Sequence, residues 1–283
     1  MKIEKILAGV DFGPATDSII AYAASFASAA NASVHLLHVL DYIVTPPAYL
    51  APYIDEEKRI AESNFAVLKK ELQEAGITTG TETVIGRLHE SFAASLNKAH
   101  ADMLVLGFMT HTFRRSSSEK LIKGLQIPML VVRGERAMAV RKGRAAIGRV
   151  LCPTDFSEQS LKALKAAMEL CDLFSARLDV LHVVHDSAIK TMKMTGEREK
   201  ALQELRERAQ KKLDAFLAEN AVRCTGMIEE GEPYEKIVSF AQQNSIDLIV
   251  TGARGLGLIE EMLIGSVTDA VLKSSHCPVL VLH

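Results

Sequence analysis

Short apolar runs recur along the chain, each followed by a longer stretch with apolar positions at helical spacing. In the first half, strands are predicted near Lys5–Asp11, Ser33–Leu40, Thr81–Ile85, Asp102–Leu106 and Met129–Val132. Helices are predicted near Asp17–Ala30, Asp55–Ala75, Leu88–Ala99 and Ser117–Lys123. In the second half the strands fall near Arg149–Pro153, Arg177–Val184, Arg223–Glu229, Leu248–Thr251 and Val279–Leu282. The helices between them fall near Ser157–Phe174, Glu197–Glu219, Pro233–Asn244 and Ser266–Ser274. The strands are short and rich in Val, Ile and Leu, as in a sheet covered on both faces. Their alternation with helices predicts an α/β fold: two doubly wound, parallel, five-stranded sheets with right-handed crossovers and strand order 3-2-1-4-5.

The two halves are one unit written twice. Ile6–Phe12 matches Val150–Phe156 at an offset of 144 residues, and the His38-Val39 pair matches His182-Val183 at the same offset. Asp102–Gly107 matches Asp247–Gly252 at 145, and Pro128–Val132 matches Pro278–Leu282 at 150. Matches in one order at nearly one offset indicate duplication. The domains are then residues 1–134 and 149–283, joined by a linker at 135–148 that is locally basic (Arg136, Arg141, Lys142, Arg144) and read as solvated. The helix at Glu197–Glu219 mixes acids and bases at helical spacing, as exposed helices do. Pro46–Pro52 reads as a stiff loop.

Charge and composition narrow the class. Among 283 residues the net charge is −2, which gives no global field for nucleic acid or anionic lipid. Tryptophan is absent and aromatics are 5%, so stacking platforms for single strands are not expected. No apolar run approaches the ~20 residues of a membrane span, and charges inside the first apolar run argue against a signal peptide. A cytoplasmic protein is expected. Cys152, Cys171, Cys224 and Cys277 match no zinc or CxxC spacing and read as free, mostly buried thiols.

The candidate chemistry lies at Leu248–Val267. A short apolar run breaks into glycines at Gly252, Gly255 and Gly257, and a second breakpoint, Gly265-Ser266, opens a helix; the spacing is G-x2-G-x9-G-S. Glycines at a strand end let backbone N–H groups approach an anion, and a helix start favours negative charge. The pattern is neither the dinucleotide fingerprint, since Glu260 stands where a third glycine belongs, nor a P-loop, since no Gly-Lys-Ser/Thr occurs. In the expected topology Asp155, after the first strand of the second unit, lies across the switch-point crevice from Gly252. Its carboxylate suits ribose hydroxyls, and Val183 offers apolar surface and backbone groups to a base. The expectation is that amides left bare by Gly252, Gly255 and Gly265 converge with Asp155 around one adenylate.

Three motifs, VLCPTDFSE (150–158), LHVV (181–184) and G-x2-G-x9-G-S, ending in CPVLV (277–281), resemble the universal stress protein family. The resemblance covers both halves and implies a tandem protein of that family. It implies ATP as the ligand, with magnesium admitted alongside. Pro153, Thr154, Asp155 and Val183 would hold adenosine, and Thr251, Gly252, Gly255, Gly265, Ser266 and Val267 would line the phosphates. Arg254, inside the loop, is also placed to meet phosphate. The resemblance further implies that the two units pair as a pseudo-dimer through their last strands, and a homodimer of the chain is compatible with it.

The first unit departs from the pattern. Asp11 and Val39 are kept, but Thr110 replaces the second glycine, Arg115-Ser116 replaces Gly-Ser, and the loop is five residues shorter. This half is not expected to bind ATP in the family's way; Arg114, Arg115 and Ser116–Ser118 offer a different anion site, and His100 and His111 read as surface histidines. No nucleophile–base spacing and no metal motif occurs, so no enzyme is expected, slow ATP hydrolysis being left open. The expected function is a nucleotide-dependent stress-response regulator or partner-binding module. The alternatives are an ATP hydrolase or adenylating enzyme, and a nucleotide-independent scaffold for a protein or an apolar small molecule.

Overall fold

The computed structural model describes residues 1–41, 47–108, 117–133, 140–141, 144–185, 195–224, 226–255 and 264–283. The chain divides into two compact units, Met1–Ala146 and Ile147–His283. The first unit runs β1 (Lys5–Gly9), α1 (Thr16–Ala30), β2 (Ser33–Leu40), α2 (Pro47–Glu74), β3 (Thr79–Ile85), α3 (Leu88–Ala99), β4 (Met103–Phe108), α4 (Ser117–Gly124) and β5 (Met129–Arg133). A short ribbon, β6 (Val140–Arg141) with β7 (Arg144–Ala145), follows. The second unit runs β8 (Arg149–Pro153), α5 (Glu158–Phe174), β9 (Arg177–Val184), α6 (Thr195–Glu219), β10 (Gly226–Glu230), α7 (Pro233–Gln243), β11 (Leu248–Gly252), α8 (Ser266–Ser274) and β12 (Val279–Leu282).

Each unit carries five parallel strands in the expected order. In the first, β3-β2-β1-β4-β5 are neighbours; in the second, β10-β9-β8-β11-β12. The central strands are buried on both faces: Ile6, Leu7 and Ala8 in β1, and Val150, Leu151 and Cys152 in β8, have no exposed surface. Helices cover them, and the helix ends obey local rules. Ser157 caps α5 by accepting from the amide of Ser160 at 3.1 Å, and Ser175 ends it in the left-handed region at φ 53°.

One difference between the units positions the site. In the first, the β1–β4 ladder continues to the Gly9–Leu106 pair. In the second, the β8–β11 ladder stops at Leu151–Ile249. Pro153 ends β8 and has no N–H with which to extend the ladder. The crevice between β8 and β11 opens at the carboxyl ends of the strands, where strand order reverses.

Two expectations are corrected. Most of the segment read as a stiff loop is helix: α2 begins at Pro47, whose fixed φ and missing N–H suit a helix start. Pro46 lies outside the described residues. The joining segment is also not simply solvated, since Ala145 is buried and its carbonyl accepts from Ser25 Oγ at 2.8 Å. No helix of the described residues is long and apolar enough to cross a membrane.

Candidate functional site

A cavity of about 340 Å³ opens at the end of the β8–β11 crevice, within the ~300–1,000 Å³ usual for small-molecule sites. Pro153, Thr154, Asp155, Val183, Thr251, Gly252, Arg254, Gly255, Gly265, Ser266 and Val267 all line it. Residues from four separated parts of the sequence are thereby brought around one space. Ser160, Leu181, His182, Pro233, Ile237 and Thr268 complete the lining; Leu181 and His182 belong to a quoted motif, but none of the six was assigned a site role from sequence.

The β8 end is a rigid turn. Phe156 adopts the left-handed conformation at φ 66°, a costly state for an aromatic residue. It is held there from several sides. Its amide donates to Thr154 Oγ1 at 3.1 Å, and its ring packs on His182 with centroids 4.4 Å apart and edge-on to Phe216 at 5.5 Å. Lys212 Nζ sits 4.3 Å from the ring centroid. His182 donates from Nδ1 to the Thr154 carbonyl at 2.8 Å, since a carbonyl can only accept. Burial holds this imidazole below its ordinary pKa, against the opposing pull of that hydrogen bond, so the neutral ring is favoured at neutral pH.

The turn fixes Asp155. Its Oδ1 accepts from the Ser157 amide at 3.0 Å, a local turn contact. Its Oδ2 lies against Gly255 closely enough that a Cβ at residue 255 would run into it. The carboxylate thus serves the turn with one oxygen and meets the glycine loop with the other.

The opposite wall is the start of α8. Thr268 Oγ1 donates to the Gly252 carbonyl at 2.9 Å, and the Gly265 amide donates to the Ala253 carbonyl at 2.7 Å. These two bonds fasten the helix start to the end of β11. Gly265 is the N-cap and supplies no side-chain acceptor, so the amides of Ser266, Val267 and Thr268 have no partner within the helix. With the helix dipole they form an anion-seeking surface, beside which Arg254 lines the cavity.

The expected role of the glycines is corrected in part. The Gly265 amide is not bare, because Ala253 uses it; the donors without a partner in the helix are the next three along it. Gly252 is required by packing: a Cβ there would lie 3.0 Å from the backbone of Gln159 in α5. Its counterpart Gly107 meets Ala15 in the same way, with a Cβ 2.6 Å from that side chain. Gly257 lies outside the described residues.

In the first unit the framework persists. Phe12 is left-handed at φ 57°, its ring packs on His38 at 4.7 Å and on Phe65 at 5.2 Å, and His38 Nδ1 meets the Val10 carbonyl at 2.8 Å. Asp11 Oδ1 accepts from Gly13 at 2.9 Å. Val10 replaces Thr154, and Thr16, at the position of Ser160, keeps a buried hydroxyl that finds no partner among the described residues. Thr110, His111, Arg114, Arg115 and Ser116 lie outside the described residues, and His100 is the exposed C-cap of α3.

The thiols are free, with Cys152, Cys171 and Cys277 buried and Cys224 half-buried. Burial pushes the Cys171 thiol up to about 12 and the Cys277 thiol up to about 11.

Comparison with known proteins gives one answer for both halves. The family model for the universal stress protein family matches residues 2–133 and again 146–283. A universal stress protein of Methanocaldococcus jannaschii is 35% identical over 145 residues, covering 50% of this chain and 85% of that protein. One from Mycolicibacterium smegmatis is 28% identical along 98% of this chain and 96% of its own length. The crystal structure of a universal stress protein from Archaeoglobus fulgidus has the same fold, with a TM-score of 0.70 at 19% identity, over 98% of this chain and 95% of that one.

Proposed function

Because this chain belongs to the universal stress protein family, with one copy of the domain in each half, we propose that the cavity of the second unit binds an adenine nucleotide, ATP foremost, and that occupancy regulates a cytoplasmic stress response. The observation that carries this reading is the meeting, around one cavity, of the Asp155 carboxylate with the uncapped start of α8 and Arg254.

Each class of group in a nucleotide has a matching wall. Pro153, Leu181, Val183, Pro233 and Ile237 offer apolar surface and strand-end backbone to a base. Asp155 Oδ2 accepts from ribose hydroxyls. The amides of Ser266, Val267 and Thr268, with the Arg254 guanidinium, neutralise phosphate. Thr251 and Ser266 add hydroxyls. Magnesium, when bound, shields the charge of a triphosphate. The second unit acts as a binding module: a nucleotide shifts the protein toward whichever conformation binds it better, and a partner reads that shift.

Calorimetric titration of the full chain with ATP, ADP and AMP, with and without magnesium, tests the reading. Saturable binding that weakens as phosphates are removed is expected. Absence of heat together with an unchanged melting temperature at saturating ATP would contradict it, since a ligand at ~100 times its Kd adds about 2.7 kcal/mol of apparent stability.

A further inference from the structure

The first unit retains the left-handed turn, the Asx contact and the histidine of the second, but its crevice is packed differently. Three positions correspond by their place in the fold. Gly9 ends β1 as Pro153 ends β8. Leu106 is fourth in β4 as Thr251 is fourth in β11, and Phe92 is fifth in α3 as Ile237 is fifth in α7. In the second unit Pro153, Thr251 and Ile237 line the cavity. In the first, the Phe92 ring lies directly over Gly9: a Cβ there would be 2.5 Å from Phe92 Cζ and 2.9 Å from Leu106 Cδ2. Phe92 is 4% exposed and Leu106 3% exposed, so the ring is enclosed. The strands beneath are zipped to the Gly9–Leu106 pair, where the second unit has parted.

We infer that Phe92 is a built-in occupant of the first unit's crevice, standing where the base of a nucleoside would lie. The inference rests on the nucleotide reading of the second unit for the identity of the excluded ligand. A planar aromatic ring held among apolar neighbours is a fair mimic of a base, and its removal leaves the Asp11 turn and the His38 support in place. Phe92, with Leu106, therefore determines that only one unit of the chain takes a nucleoside. Adenosine is the suitable probe because it needs no phosphate loop.

Equilibrium dialysis of the full chain with adenosine tests this through a difference in stoichiometry. The Phe92→Ile/Leu106→Thr variant, which replaces the ring and its neighbour by their second-unit counterparts, is expected to bind one more adenosine per chain than the parent. The reciprocal Ile237→Phe/Pro153→Gly variant, which installs the plug in the second unit, is expected to bind one fewer. Circular dichroism melts establish that each variant is folded. The parent's own value, one per chain, reports on the nucleotide reading alone; a parent value of zero would fail that reading while the gain in the first variant still decides the plug. A folded first variant with no gain, or a parent that already binds two, would overturn the inference.

Discussion

The carboxylate of Asp155 rests against the α-carbon of Gly255, so that any side chain at residue 255 would collide with Oδ2. Asp155 lies just beyond the first strand of the second unit, and Gly255 just beyond the fourth. Their contact joins the ends of these two strands beside the cavity that both residues line. It also explains why a glycine is needed at 255 although the residue is exposed and its φ is not positive.

The substitution Gly255→Val isolates that contact. The backbone conformation accepts a side chain, and among the described residues the close obstacle is the carboxylate. Nucleotide affinity is expected to fall at least tenfold, about 1.4 kcal/mol, with little change in the unfolding midpoint. Calorimetry and urea denaturation on the same sample read both quantities.

Gly252→Val is expected to behave differently. Its Cβ would press on the Gln159 backbone, and overpacking of this kind costs about 1–3 kcal/mol. The second unit should unfold at lower urea concentration, so lost nucleotide binding in this variant would reflect damage to the fold. Wild-type stability with lost binding would contradict the packing role assigned to Gly252.

Thr154 and Thr16 make a reciprocal pair. Thr154 Oγ1 pairs with Ser160 Oγ at 3.1 Å and accepts from the Phe156 amide. Thr154→Val should therefore destabilise the second unit by about 1 kcal/mol. In the first unit the Thr16 hydroxyl is already buried without a partner among the described residues. Thr16→Val should stabilise that unit by a similar amount, about 1 kcal/mol. Chemical denaturation curves of both variants check the signs.

The buried thiols set an alkaline limit. Cys277 and Cys171 titrate near 9.0 when unburied and are raised to about 11 and about 12 in the fold. Above pH 9 the unfolded chain releases these protons while the folded chain keeps them. Fewer protons bound in the unfolded state means stability falls with rising pH, by on the order of 1 kcal/mol per pH unit for each thiol between its unfolded and folded pKa. Below pH 9 the thiols contribute no slope. Unfolding free energies from pH 7 to 11, compared with those of Cys277→Ala, measure the effect.

Much of this was legible in the residues. The bounds read for Ser33–Leu40, Leu88–Ala99, Arg177–Val184 and Ser266–Ser274 coincide with β2, α3, β9 and α8, because each has a clean apolar period and a clear stop. Asp155, Gly255 and Ser266 stood out because carboxylates, glycines and helix starts at strand ends have few other uses. Pro233 and Ile237 did not, since a proline at a helix start and an apolar helix residue read equally well as structure. The packing duty of Gly252 depends on a helix residue 93 positions earlier in sequence, Gln159, and no local pattern reports it. The enclosure of Phe92 over Gly9 is likewise visible only when α3 and β1 are placed together.

The central claim, that an adenine nucleotide sits between β8 and β11 of the second unit, is met most directly by photolabelling. The full chain is irradiated with 8-azido-ATP, with and without excess ATP, and the modified peptides are mapped by mass spectrometry. The account predicts a label suppressed by ATP on peptides that carry Leu181–Val183 or Pro233–Ile237. Labelling confined to the first unit, or labelling that excess ATP leaves unchanged, would contradict it.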